Sequence, residues 1–429
     1  MKPPRIVESR DRSALAELYA PGWAPSEDVV ASVSEILRDV RSRGDDALCD
    51  YVRRFDDPDF TLDRLRVVLP PLEQARKLVP SDVAAGLELA RERVLAFHGR
   101  QRVPNMEYDE GDGSRYAVLV RPLASIGAYV PGGTASLPSS AIMTTVPAKL
   151  AGVERVVVAT PPVRGGLGVN PAILFACVLC GVDELYAIGG AQAIGALAYG
   201  TSRVARVDKI VGPGSVWVTE AKRQVFGVVG IDGLAGPSEV LVVADETSQP
   251  ELVAGEMLAQ AEHDAYARVA TVSSSRDLLE RVSEVLAASK DTERVEIVRR
   301  VFDERAWLIY ARNEDEIVEV IDRFAPEHLS IQTRDPMRLV PRVRHAGAIF
   351  IGGMTPVAAG DYIAGTNHVL PTAGAARFAS GLRLADFMRT MSLVEYSDSR
   401  MQQDADVLAS LADFEGLPAH ARSARMRKR

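Results

Sequence analysis

The chain has 429 residues, 47% of them hydrophobic, which is more than one ordinary core uses and predicts two or three domains. Its 50 Lys+Arg against 58 Asp+Glu leave a formal charge of -8, which excludes a general electrostatic attraction to nucleic acid or to an anionic membrane. Three cysteines, Cys49, Cys177 and Cys180, cannot build a disulfide framework and suit a reducing cytoplasm, and only six histidines are present.

The N-terminus, Met1-Lys-Pro-Pro-Arg-Ile-Val-Glu, carries charges and prolines where a secretory signal needs an apolar run. Nothing later approaches the ~18 to 20 apolar residues of a membrane span, so a soluble, cytoplasmic protein is expected. Residues 26–99 read as a helical lead-in, with Val29, Val33, Ile36, Leu37 and Val40 at helical spacing and again Val83, Leu87 and Val94. From about Tyr116 short β-rich runs alternate with helical stretches: 117–120, 125–130, 155–159, 184–188, 209–211 and 239–244. The alternation resumes after Asp245, with strands at 268–272, 306–310, 329–332 and 348–351. This predicts two α/β units with parallel sheets covered by helices. Beyond Gly381 the chain reads as helical and charged, ending in the basic run 422–429, which is expected to be a solvated helix end.

Three strands run into glycine turns followed by helices: Pro131-Gly-Gly133, Gly189-Gly-Ala-Gln192 and Gly212-Pro-Gly214. A glycine turn opening a helix gathers unpaired N–H groups and a positive dipole end, which suits a pyrophosphate. None completes G-x-G-x-x-G, so each alone reads first as a plain tight turn, while three in one α/β unit put nucleotide binding on an equal footing. Cys177-Val-Leu-Cys180 lies in an apolar helical segment with no second Cys pair and no neighbouring His, which predicts burial and not zinc.

Four histidines lie beside acids or amides: Gln260-Ala-Glu-His263-Asp264, Glu327-His328, Asp361 with His368, and Glu415 with His420. Gln260 and His263 are three apart on a helix expected over residues 248–263, so both can face one ligand, a divalent metal being the natural candidate. Asp361 and His368 share a glycine-punctuated loop of the kind that carries side chains into a site. No His-Glu-x-x-His motif supports a metallopeptidase. Glu327 and His328 offer adjacent proton-transfer groups, the imidazole being suited to act as a base near neutral pH.

The segments Val211-Gly-Pro-Gly-Ser-Val-Trp-Val-Thr-Glu-Ala-Lys-Arg-Gln-Val-Phe-Gly, Ala235-Gly-Pro-Ser-Glu-Val-Leu-Val, Gln260-Ala-Glu-His-Asp, Ala325-Pro-Glu-His-Leu, Ala359-Gly-Asp-Tyr-Ile-Ala-Gly-Thr-Asn-His-Val-Leu-Pro-Thr and Glu415-Gly-Leu-Pro-Ala-His420 closely resemble the histidinol dehydrogenase family, in order, from about residue 25 to His420. The resemblance implies an NAD-dependent, zinc-containing homodimer that oxidises L-histidinol through L-histidinal to L-histidine. It implies zinc on Gln260, His263, Asp361 and His420, with His328 as the base and Glu327 as the group that activates water in the second oxidation. Ser238, His368 and Glu415 would join Gln260, His263, His328, Asp361 and His420 around the substrate, and Tyr129, Gln192 and Ser215 would meet NAD.

The implied fold is α/β, with two incomplete Rossmann-like parallel-sheet units, a helical lead-in and a helical C-terminal tail that swaps onto the partner subunit. The implied domains are residues 23–128 plus 238–381, carrying most metal and catalytic residues, 129–237 for NAD, and 1–22 plus 382–429 as a small dimerisation and tail region. Ser215 stands where most of the family carries Asn, and Leu137 replaces a position often aromatic. Two competing readings are a dehydrogenase of the same scaffold acting on another polar alcohol, and a zinc hydrolase or ligand-binding protein.

Overall fold

A computed structural model describes residues 3–20, 24–101, 103–132, 136–165, 168–289 and 294–428. Gly133, in the first of the expected glycine turns, lies outside the described residues.

Two six-stranded sheets dominate the molecule. The first runs in the order Arg66–Val67, Glu184–Ala187, Arg155–Thr160, Ser125–Tyr129, Lys209–Val211, Gly230–Ile231, parallel except for the edge strand Arg66–Val67. The second runs Ile6–Glu8, Ala306–Tyr310, Arg268–Ser273, Glu239–Ala244, His328–Ile331, Ala348–Ile351 and is parallel throughout. Apart from the early edge strands Arg66–Val67 and Ile6–Glu8, the chain in each sheet starts at a central strand, moves outward on one side, then returns to build the other side. The strand order thus reverses beside Ser125–Tyr129 in the first sheet and beside Glu239–Ala244 in the second, and ligand crevices form at such reversals outside the carboxyl ends of the strands. The strands are near-continuous apolar runs, as sheets covered on both faces require: all six residues of Glu239–Ala244 are buried.

The helical lead-in forms Glu27–Arg43, Asp45–Phe55, Leu72–Arg76 and Ser81–His98. Ser26 caps the first of these by accepting from Val29 N–H, with Glu27 and Asp28 in the first turn and Arg41 and Arg43 in the last, each sign placed to favour the helix dipole. The apolar face of this lead-in, including Val33, Leu37, Val40, Leu48 and Val94, joins the core of the first sheet. Residues 6–8 supply an edge strand of the second sheet, and Leu15 and Leu18 are buried in its core beside Leu241 and Ile309.

By core membership the lead-in helices join the first sheet, and residues 6–18 join the second. The amphipathic lead-in finds its complementary apolar face on the nearer sheet in sequence, and the N-terminal strand finds an open parallel edge. Residues 117–120 form a strand, but not one of a parallel sheet as expected. They lie in Arg115–Pro122, the centre of a three-stranded antiparallel ribbon between Met106–Asp109 and Met388–Glu395. The expectation of helix throughout the chain beyond Gly381 fails at the same place, because residue-by-residue pairing of 388–395 with 115–122 supplies hydrogen bonds that weak local patterning does not announce.

The chain ends in a hairpin of Asp398–Phe414 and Pro418–Arg425, held by Ala409, Ala412, Ala421 and Ala424. Arg425 pairs with Asp413 and Lys428 with Asp406, so these residues of the basic run are held by acids on the neighbouring helix. No described helix is long and apolar enough to cross a membrane. Cys177 and Cys180 are buried and unpaired to each other, as expected.

Candidate active site

The amino ends of two neighbouring strands in the second sheet build the centre of the site. Glu239 heads Glu239–Ala244, with Ser238 half-buried just before it, and His328 heads His328–Ile331, with Glu327 just before it. Glu239 N–H donates to Glu327 Oε2 at 2.9 Å, and Glu327 N–H donates to Glu239 Oε2 at 3.3 Å. The Glu239 carbonyl oxygen lies 3.0 Å from His328 Nδ1. A carbonyl only accepts, so Nδ1 carries the proton and Nε2 keeps its lone pair while the ring is neutral. Burial pushes His328 down to about 4, helped by the nearby imidazoles of His263 and His368, which keeps it neutral at ordinary pH. Its Nε2 is buried without a hydrogen-bond partner and lies 3.8 Å from Asp361 Oδ1.

Asp361 comes from the short helix Val357–Tyr362, and His368 from the loop that follows. His368 Nδ1 sits 2.9 Å from the Asp361 carbonyl oxygen, leaving Nε2 to accept from Ser140 Oγ at 3.3 Å. Asn367 reaches the Met143 carbonyl at 2.8 Å. Ser140 and Met143 lie on Pro138–Ala151, a helix in the core of the first unit, so this loop sits where the two units meet. Gln260 ends the helix Pro250–Ala261, and its Nε2 is buried with no partner. His263 lies two residues past that helix, exposed in a turn and joined by its N–H to the Gln260 carbonyl at 3.3 Å. The helix expected over 248–263 is thus shorter at its C-terminal end, and a turn rather than helical periodicity sets His263 relative to Gln260.

Four carboxylates crowd this pocket, Glu239, Glu256, Glu327 and Asp361, with Arg268 paired to Glu239. Burial drives Glu327 well above the usual carboxylate range and Asp361 up to about 7, with Glu256 adding to the second shift. Carboxyl groups buried this closely are held toward their neutral forms, and a bound cation would favour their ionisation. Gln260 offers it a ligand atom: rotating the amide by half a turn puts its oxygen where the buried, unpartnered nitrogen now lies. Among the described residues no three His, Cys, Asp or Glu side chains cluster as a metal site. Glu415 and His420 are exposed on the C-terminal hairpin and, unlike Glu327, His328, Asp361 and His368, are not assembled at this centre.

Glu239, Arg268 and Glu256 were not among the candidates from sequence. Glu239 and Arg268 occupy matching register positions at the heads of adjacent apolar strands, a signal visible as one charge opening each run. Glu256 accepts Val357 N–H at 3.1 Å and so joins the helix that carries Gln260 to the one that carries Asp361.

Of the three residues expected to meet NAD, Tyr129 and Ser215 lie at the carboxyl side of the two strands flanking the order reversal of the first sheet, and Gln192 lies in the helix after Glu184–Ala187. Tyr129 Oη accepts Gly190 N–H at 3.1 Å, and a Cβ on Gly190 would lie 2.7 Å from Gln192 Oε1. Gly212 presses on the Tyr129 backbone, where a Cβ would stand 2.3 Å from the carbonyl oxygen. Ser215 is exposed at the N-cap of Val216–Val225, and its side chain makes no capping hydrogen bond. Burial raises Tyr129 to about 12, so its hydroxyl stays protonated. A cavity of about 310 Å³, lined in part by Gly212, Lys222, Asp232, Leu234, Leu370 and Phe378, opens beside the third glycine turn.

A family model for histidinol dehydrogenase matches residues 23–428. The chain belongs to the histidinol dehydrogenase family. Histidinol dehydrogenase of Gluconobacter oxydans is 43% identical over 414 residues, 96% of either chain. That of Syntrophotalea carbinolica is 44% identical over 416 residues, covering 97% of this chain and 96% of the relative. The crystal structure of histidinol dehydrogenase from Elizabethkingia anophelis superposes with a TM-score of 0.92 at 31% identity, covering 99% of this chain and 98% of that one. The likeness to histidinol dehydrogenases therefore includes both sheets and the ribbon, and marks this chain as an oxidoreductase.

Proposed function

We propose that the chain oxidises L-histidinol through L-histidinal to L-histidine, consuming two NAD, at the pocket between its two α/β units. The observation that carries this reading is His328: a neutral imidazole whose Nδ1 is tied to the Glu239 carbonyl and whose buried Nε2 has no partner. A lone pair held in place and kept from water is what removal of an alcohol proton needs.

NAD supplies the hydride acceptor for both oxidations, and zinc supplies a cationic centre that fixes the substrate's nitrogens. Gln260, His263 and Asp361 would hold the metal together with His420 of the partner subunit. His328 Nε2 takes the hydroxyl proton as hydride leaves carbon, which yields the aldehyde. In the second step Glu327, fastened by Glu239 N–H, takes a proton from water as the oxygen adds to the aldehyde carbon. Loss of the second hydride then gives the carboxylate. Ser238, His368 and Glu415 of the partner subunit complete the substrate's surroundings, and Tyr129, Gln192 and Ser215 receive the dinucleotide.

The assembly is a homodimer in which the C-terminal hairpin crosses to the other subunit. The hairpin's apolar face supports this: Phe414 is 93% exposed, and Val407, Leu411 and Met426 are exposed with it. Replacing His328→Asn removes the base without touching a metal ligand. The first oxidation should slow by about 10²- to 10⁴-fold with zinc content unchanged. A rate within a few-fold of the parent would refute the role of His328.

A further inference from the structure

Lys222 is 2% exposed and pairs with Asp232. Lys222 lies two turns along the helix that begins after Ser215, and Asp232 follows the edge strand Gly230–Ile231. Burying both charges costs more than packing two apolar side chains of like volume, so the pair is not explained by stability. Its partners explain it better. Lys222 Nζ donates to the Gly212 carbonyl at 3.0 Å, and Asp232 Oδ2 accepts Gly212 N–H at 2.7 Å. The two ends of one residue's backbone are therefore held by the two members of one ion pair. Asp232 is itself fixed, since its N–H donates to the Ile210 carbonyl at 3.2 Å and its Oδ1 accepts Gly233 N–H at 2.8 Å.

Gly212 has φ of +108°, which a side chain would strain, and it lies against the Tyr129 carbonyl. Gly214 is equally confined: a Cβ there would come within 2.4 Å of Val218 Cγ1. The turn is thus gripped before and after Pro213, and it delivers Ser215 to the crevice where Tyr129 and Gln192 lie. We propose that Lys222 and Asp232 are positioning residues for the dinucleotide: their buried pair clamps the Gly212 backbone and so sets the turn that presents Ser215. This rests on the reading of Tyr129, Gln192 and Ser215 as cofactor contacts. It adds a cause for the shape of that site, and a route by which residues that need not touch the cofactor control its affinity.

The test is dinucleotide binding to the full-length protein, read by NADH fluorescence, with KM for NAD and for L-histidinol measured in parallel. Lys222→Met keeps the chain's bulk and loses the donor. It should raise Kd for NADH and KM for NAD by roughly tenfold, while KM for L-histidinol and zinc content stay within about twofold. Asp232→Asn, which keeps an oxygen for Gly212 N–H, should fold even if Lys222→Met does not, and should weaken NADH by about threefold. In a double-mutant cycle the Lys222→Met effect should shrink on a Ser215→Ala background, because both act through one turn, whereas a merely structural change would add. If Ser215→Ala and Gln192→Ala leave NADH binding unchanged, the cofactor reading itself fails. If they weaken it while Lys222→Met and Asp232→Asn do not, or if the cycle is additive, the clamp is wrong and the crevice stands.

Discussion

His98 shows how a buried titratable group shapes stability away from the site. It is 0% exposed, its Nδ1 lies 3.2 Å from Gln101 Oε1, and its Nε2 has no partner. Burial holds it below the usual imidazole value, so the folded chain prefers the neutral ring. An unfolded histidine takes up its proton near pH 6.5, so this contribution is present above about that pH and is lost as pH falls below it. Thermal unfolding of the parent should therefore lose more stability between about pH 7 and pH 5 than unfolding of His98→Phe; parallel losses would contradict the assignment.

The same scale shows what the sequence revealed and what it hid. Glu327, His328, Asp361 and His368 stand in recognisable motifs, and the structure brings all four together. Glu239 and Arg268 show only as one charge opening each apolar run, and Lys222 and Asp232 do not announce themselves. Their roles come from what backbone groups they meet across the sheet, and only register places those partners.

At the scale of elements, the lead-in helix Glu27–Arg43 was legible from its apolar spacing, but not the sheet it covers. Val33, Ile36, Leu37 and Val40 are buried on its inner face, and Leu37 meets the helix Gly190–Tyr199 so closely that a Cβ on Gly195 would lie 3.1 Å from it. Leu37→Ala should cost about 2–5 kcal/mol of stability by leaving a cavity in the first core. Denaturant unfolding measures this, and a loss under about 0.5 kcal/mol would mean the helix does not pack as described. The strand Met388–Glu395 was not legible for the opposite reason. Its residues are mostly exposed, so burial leaves little pattern to read, and only its partner Arg115–Pro122 settles its conformation.

At the scale of the whole molecule, the two order reversals face different ways in use. The first sheet offers the carboxyl ends of its strands, at Tyr129 and Gly212, and the second offers the amino ends, at Glu239 and His328. The loop carrying Asn367 and His368 bridges the units, as the proposed meeting of a cofactor on one with a substrate on the other requires. The proposed tail crossing divides each site between two chains, and complementation tests it. Mixed His328→Asn and His420→Asn subunits should regain roughly a quarter of parental activity, since half of the dimers are hybrids with one whole site each. No recovery, with subunit exchange demonstrated, would exclude crossing.

One site is proposed to carry out both oxidations of histidinol. Purified protein supplied with zinc, limiting L-histidinol and excess NAD should form about two NADH and one L-histidine for each L-histidinol consumed, without free aldehyde building up. One NADH with accumulating L-histidinal would contradict the role given to Glu327, and no NADH at all would overturn the proposed function.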